Sequence, residues 1–206
     1  KVKAVSNVNT VDFNTVDIVI NLAGEPIVNK RWSDKQKQII RNSRIDITQQ
    51  ISEAIKACSI PPHTFISGSA IGFYGRQNSN PIDETFERPH DEFSHQLCKD
   101  WENAALLAQS EQTRVCLLRT GIVLAKKGGA LGKMLPAFKL CLGGPIGNGE
   151  QGMSWIHIDD MIQLILFIIK HPEISGPVNA TAPNPVSNAQ FSKSLGEALS
   201  RPAFIT

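Results

Sequence analysis

Residues 16 to 24, VDIVINLAG, form a continuous apolar run that closes in small residues. A strand with no polar face must be covered on both sides. A parallel sheet flanked by helices meets that need, whereas a half-solvated antiparallel sheet does not. The pattern then alternates. A helix opens at Ser33, whose side chain caps it while Gln36 returns the bond as a capping box. Its apolar stripe runs Ile40, Ile47, Ile51, Ile55 and Cys58, spaced to cover a sheet. HTFISGSA reads as the next strand, FSHQLCKDWENAALLA as the next helix and RVCLLRTGIVL as a third strand. Strand–helix alternation of this kind specifies an α/β fold, a parallel sheet with helices on both faces and right-handed crossovers.

After residue 125 the texture changes. KKGGALG and LGGPIGNGEQG are glycine-rich and read as loops. SWIHI is a short strand and DDMIQLILFIIKH a helix capped by Asp159. GPVNATA and SNAQFSKSLGEALS add a strand and a helix, the latter opening with a capping box of Ser187 and Gln190. Residues 126–206 thus make a smaller, substrate-side part of one domain rather than a second independent one. For 206 residues one core is the expectation.

A net charge of +2, with both signs interspersed, does not suggest a nucleic-acid binder. The one basic cluster, Lys30, Arg31, Lys35, Lys37, Arg41 and Arg44, reads first as a solvated helix face. Cys58, Cys98, Cys116 and Cys141 show no CxxC or metal-ligand spacing and read as buried or half-buried thiols in a reducing compartment. The longest apolar run, LILFII, falls far short of the about 20 residues that cross a bilayer. No signal segment precedes the first strand, so no membrane and a cytoplasmic location are expected.

In open α/β sheets ligands bind beyond the carboxyl ends of the strands. Three such ends here, NLAG, SGSA and RTGIVL, carry small or hydroxyl residues that let a flat ligand approach the backbone. They nominate Asn21, Ala23, Gly24, Ser67, Gly68, Arg119, Thr120 and Gly121 as groove residues, with Ser69 as the reactive hydroxyl. No GxGxxG stands between a strand and a helix, and GGPIGNG lacks a preceding buried strand, which makes it a substrate-side loop.

NLAG, SGSAIGFYG, LLRTGIVL and GNGEQGMSWIHIDD occur in the order and rough spacing of extended short-chain dehydrogenases/reductases of the nucleotide-sugar epimerase/dehydratase type. The combination RWSDKQKQIIRNSRI, MSWIHIDD and NATAPNPVSN resembles the atypical branch called epimerase-family proteins, and the likeness covers nearly the whole chain. The resemblance implies a Rossmann-type domain that binds NAD or NADP through the groove residues above. VDIVINLAG would be its fourth strand, with roughly fifty residues carrying the glycine-rich fingerprint ahead of Lys1 and part of the substrate-side subdomain beyond Thr206. It also implies that Arg44 projects toward the cofactor with Arg41 on the same face, where a guanidinium could meet a phosphate or stack on a ring.

Active members of that family move a proton with a Ser or Thr and a Tyr-x-x-x-Lys pair one helical turn apart. Ser69 matches the serine. The single tyrosine, Tyr74, matches the one that closes the serine strand, and Asn78 stands four residues on. Aligning Glu102 with the family's acidic residue puts Ser94 at the tyrosine position and Cys98 at the lysine position. His95 and Lys99 lie about 100° around the helix and read as surface positions, and Cys98 as a buried thiol. Met153 replaces the diphosphate-binding arginine and Ile122 the asparagine after the third strand, which removes polar contacts to a nucleotide sugar. His157 and Asp160 read as structural. The expected function is an NAD(P)(H)-binding oxidoreductase or epimerase with a small, unidentified substrate and a non-standard acid/base. The alternative is a non-catalytic dinucleotide-sensing or interaction module; the resemblance also admits a homodimer.

Overall fold

The computed structural model describes residues 2–77, 80–126 and 128–203. Asn78 lies outside them. The chain divides into two compact units, one of Lys1–Gln77, Ile82–Arg119 and Ile169–Val178, the other of Asn78–Pro81, Thr120–Ile168 and Asn179–Thr206.

A four-stranded sheet holds β1 (Ile18–Asn21), β2 (Thr64–Ala70), β3 (Arg114–Thr120) and β7 (Gly176–Ala180), hydrogen-bonded in the order β1-β2-β3-β7. Helix α1 (Asp34–Lys56) joins the first two strands and α2 (Phe93–Leu106) the next two. β1 and β2 run parallel with Ile18 opposite Thr64 and Asn21 opposite Ser67, which sets the NLAG and SGSA ends side by side. β2 and β3 are buried almost throughout, as a doubly covered strand requires. β1 is less so: Ile20 is 45% exposed, and Leu22, just past the strand, is 55% exposed. Among the described residues β1 and β7 are the two edges of this sheet.

Ile51 and Ile55 from α1 meet Ala105 from α2, Phe65 from β2 and Val115 and Leu117 from β3 in one core cluster that also takes in Phe13. Ile40 is fully buried, and Ile47 and Cys58 are partly so; the stripe read from sequence is the buried face. Ser33 Oγ accepts the Gln36 N–H at 3.3 Å, but the box is not closed. The Ser33 N–H goes to Arg31 O instead, and the Gln36 amide nitrogen is buried without a partner.

The second unit carries two small sheets, β4 (Ile122–Leu124) parallel to β6 (Trp155–His157), and β5 (Gly152–Met153) antiparallel to β8 (Val186–Ser187). The third strand expected from RVCLLRTGIVL is therefore two strands. The chain breaks at Gly121, where a Cβ would lie 2.7 Å from Ser154 O. KKGGALG is not all loop either: α3 (Gly129–Lys139) starts on Gly128 and Gly129, both at positive φ, and buries Phe138. Glycine content hid that helix, because these glycines turn the chain into it. Helix α4 (Ile158–Lys170) begins one residue before Asp159, so Asp159 is a first-turn acid rather than the cap; His157 Nδ1 accepts its N–H at 3.3 Å. Helix α5 (Asn188–Leu199) opens with the full capping box of Ser187 and Gln190.

Candidate functional site

In the first unit the carboxyl end of β1, the end of β2 and the second half of α2 surround two hydrogen-bonded clusters. The first centres on Thr48, wholly buried on α1, whose Oγ1 accepts from Asn21 Nδ2 at 2.8 Å and from Trp101 Nε1 at 3.0 Å. Asn21 Oδ1 takes the Ala23 N–H at 3.1 Å, which turns the chain sharply out of β1. Trp101 then covers Gly68, where an added Cβ would fall 2.9 Å from the indole ring. Arg44 lies across the other glycine of the groove: a Cβ on Gly24 would meet its Cζ at 2.9 Å.

The Arg44 guanidinium is half-buried, 5.3 Å from the Trp101 ring, and donates to Glu25 O and Ile40 O, each at 3.1 Å. Ser43 Oγ accepts the Glu25 N–H at 2.9 Å. These bonds fix the segment leaving β1 against α1. Burial lowers the Arg44 pKa, against the opposing pull of Cys98 and Glu25. Arg41 does not share this place. It pairs with Asp100 of α2 at 2.6 Å in a partly exposed bridge.

The second cluster is a buried ion pair. Arg119 of β3 donates Nε to Glu102 Oε1 at 2.9 Å and Nη2 to Oε2 at 3.0 Å, and the two side chains are only 5% and 7% exposed. Its Nη1 reaches the Tyr74 hydroxyl at 3.1 Å, and its Cζ sits 3.5 Å from the centre of the Phe73 ring. Burial acts to lower the Arg119 pKa, but the bonds to Glu102 and Tyr74 more than offset it and hold the group above its ordinary value. Ser69, the hydroxyl singled out in the sequence, is buried and donates to Glu102 Oε1 at 2.7 Å.

Ser94 and Cys98 both face Gly72, where an added Cβ would lie 3.3 Å from Ser94 Cβ and 3.5 Å from Cys98 Sγ. One turn of α2 thus presents these two residues to the segment that follows Ser69. Burial and the Glu102 charge push the Cys98 thiol up to about 11, against the Ala70 N–H, Arg44 and the Ser69 hydroxyl, so it is neutral at physiological pH. His95 is not on the surface as expected; it is buried, with Nδ1 bonded to Phe73 O and the ring edge-on to Phe73. Lys99 is exposed.

The small residues at the strand ends therefore serve the protein's own packing first. Gly24 makes room for Arg44, Gly68 for Trp101 and Gly121 for the Ser154 carbonyl, while Ser67 is fully buried with its hydroxyl on Gly68 O at 3.3 Å. Arg119 has its guanidinium committed to Glu102 and Tyr74. Thr120 and Gly121 belong to the second unit. Sequence reading used Glu102 only to set an alignment and passed over Trp101 and Thr48. The available signal was charge in the wrong place: Glu102 on the apolar stripe of α2 and Arg119 inside the apolar run VCLLRT.

A family model described as NAD dependent epimerase/dehydratase matches residues 4–180. The chain belongs to that family. Among curated relatives, the epimerase family protein ML0860 of Mycobacterium leprae is 46% identical over 187 residues, which cover 91% of this chain and 60% of that protein. Human epimerase family protein SDR39U1 is 37% identical, with 92% and 65% covered. The chain thus spans about three fifths of the length of the curated relatives it matches. The crystal structure of human SDR39U1 (isoform2) with NADPH superposes with a TM-score of 0.88 at 36% identity, over 93% of this chain and 65% of that one. UDP-glucuronic acid 4-epimerase from Bacillus cereus, at 20% identity and a TM-score of 0.80, shares the fold. The fold is accordingly Rossmann-like, a parallel sheet with helices.

Proposed function

We propose that the protein is an NAD(P)(H)-binding, epimerase/dehydratase-like oxidoreductase that acts on a small, relatively apolar carbonyl or alcohol without the usual Tyr-x-x-x-Lys pair. The observation that carries the cofactor is the register that sets Asn21 beside Ser67, with the half-buried Arg44 cation at the same sheet end. Family membership and the NADPH named with the human relative's structure support it. The residues present fit a dinucleotide. In the first unit Arg44 supplies N–H donors to phosphate or carbonyl oxygens and Ala23 bears no bulky side chain, while the places over Gly24 and Gly68 are taken by Arg44 and Trp101. Such a cofactor supplies or accepts a hydride.

The non-standard chemistry rests on what stands on α2. Ser94 and Cys98 occupy the positions that the resemblance gives to tyrosine and lysine, and a neutral, buried thiol does not lower a neighbour's pKa as an ammonium would. Met153 in place of an arginine, buried and accepting from Asn188 Nδ2 at 3.2 Å, supports a substrate without a diphosphate. The test is a fluorescence titration of the full-length protein with NADPH and NADH, followed by cofactor absorbance against aldehydes, ketones and nucleotide sugars. Cofactor binding with slow carbonyl reduction, lost in Ser69→Ala, supports the reading. No binding of either cofactor at millimolar concentration overturns it, and epimerisation of a nucleotide sugar at about 1 to 1000 per second overturns the substrate class. The Cys98 environment also favours a second reading, a dinucleotide-sensing module without turnover. NADPH-dependent change in complex size with no carbonyl activity would select it.

A further inference from the structure

A hydroxyl has one hydrogen to donate, and Ser69 directs it at the Glu102 carboxylate across 2.7 Å. That bond is charge-assisted, and the acceptor is held rigidly by the two-pronged Arg119 fork. Redirecting the hydrogen to a ligand would leave one carboxylate lone pair of a buried anion without its donor. With its hydrogen on Glu102, the serine oxygen keeps accepting capacity only.

We propose that Glu102 is a positioning residue that sets the polarity of Ser69. The serine oxygen meets its ligand as a hydrogen-bond acceptor, so the group recognised there is a donor: the hydroxyl of an alcohol-level substrate rather than the carbonyl of its oxidised form. This rests on the reading of Ser69 as the ligand-facing hydroxyl of the groove. Glu102 and Arg119 act only through Ser69. The consequence is a site that holds the reduced partner of a carbonyl–alcohol pair more tightly than the oxidised one.

The experiment uses the full-length protein saturated with NADP and two aromatic probes that cannot react. Cumyl alcohol is tertiary and has no hydride to give; acetophenone can only accept a hydrogen bond, and oxidised cofactor has no hydride for it. Affinities are measured by calorimetry. Wild-type protein and Ser69→Thr should prefer cumyl alcohol, and Ser69→Ala should weaken it about tenfold, the size of one hydrogen bond, while changing acetophenone by less than about twofold. Glu102→Gln, where the variant keeps the wild-type circular dichroism, should shift the preference toward acetophenone. A loss in Ser69→Ala that falls on acetophenone overturns the polarity but leaves Ser69 in the site. No change with either probe removes Ser69 from the site and takes both readings with it.

Discussion

Removing the Glu102 carboxylate is the most severe perturbation that the structure defines. Glu102→Ala strips three donors of their acceptor: Arg119 Nε, Arg119 Nη2 and Ser69 Oγ. The guanidinium that remains is about 5% exposed, with an aromatic ring 3.5 Å from its Cζ and a phenol oxygen as its main side-chain partner. Breaking a buried pair by deleting one member costs about 3 to 5 kcal/mol. Against a typical domain stability of about 5 to 15 kcal/mol, that brings the protein near the edge of unfolding. With a urea slope of about 1 to 3 kcal/mol/M, the midpoint should drop by about 2 M, read by circular dichroism. Glu102→Leu combined with Arg119→Met removes both charges and fills similar volume, so it should recover most of that loss. A Glu102→Ala cost below about 1 kcal/mol, the value of an exposed pair, would refute the reasoning. So would a double variant as unstable as the single one.

Gly68→Ala should destabilise by about 1 to 3 kcal/mol because the Trp101 ring, hydrogen-bonded to Thr48, cannot retreat. Gly24→Ala should cost less, since the atoms it meets belong to the flexible end of Arg44; equal losses in thermal melting would contradict this assignment. Cys98 makes a pH prediction. Its thiol titrates near 9 when unfolded and at about 11 in the fold, so the native state holds the proton longer. Its contribution is complete below pH 9 and is lost as pH rises from 9 to 11, about 2 to 3 kcal/mol in all. Cys98→Ala should flatten the wild-type decline over that window, and an unchanged slope would remove the assignment. Arg44→Ala should weaken NADPH binding by about 1 to 3 kcal/mol with the circular dichroism spectrum unchanged; unchanged affinity would leave Arg44 only its contacts to Glu25 and Ile40.

The legible parts of the fold were those where one physical demand dominates. The α1 stripe from Ile40 to Cys58 and the α5 capping box are local patterns, and both are present. Gln36 could not be read correctly because closing its box depends on where the Ser33 N–H turns, and Arg31 O takes it. The break at Gly121 depends on the approach of the Ser154 carbonyl from distant sequence. Strand-end glycines look the same whether a ligand or an indole fills the space, so Gly68 was legible as a close approach but Trp101 was not legible as its cause. His95 was misplaced on helical angle alone, because Phe73 folds back through the turn Ile71–Tyr74 and covers that side of α2.

The central claim is that a nicotinamide dinucleotide lies over the carboxyl ends of β1 and β2 with its reactive ring beside Ser69. A crystal structure of the full-length protein with NADPH tests it most directly. Continuous cofactor density along Ala23 and Gly24, with an oxygen of the dinucleotide within hydrogen-bond distance of Arg44 and the nicotinamide next to Ser69, is the expected result. Density elsewhere, or a nicotinamide separated from Ser69 by the Trp101 and Arg44 side chains, would contradict it.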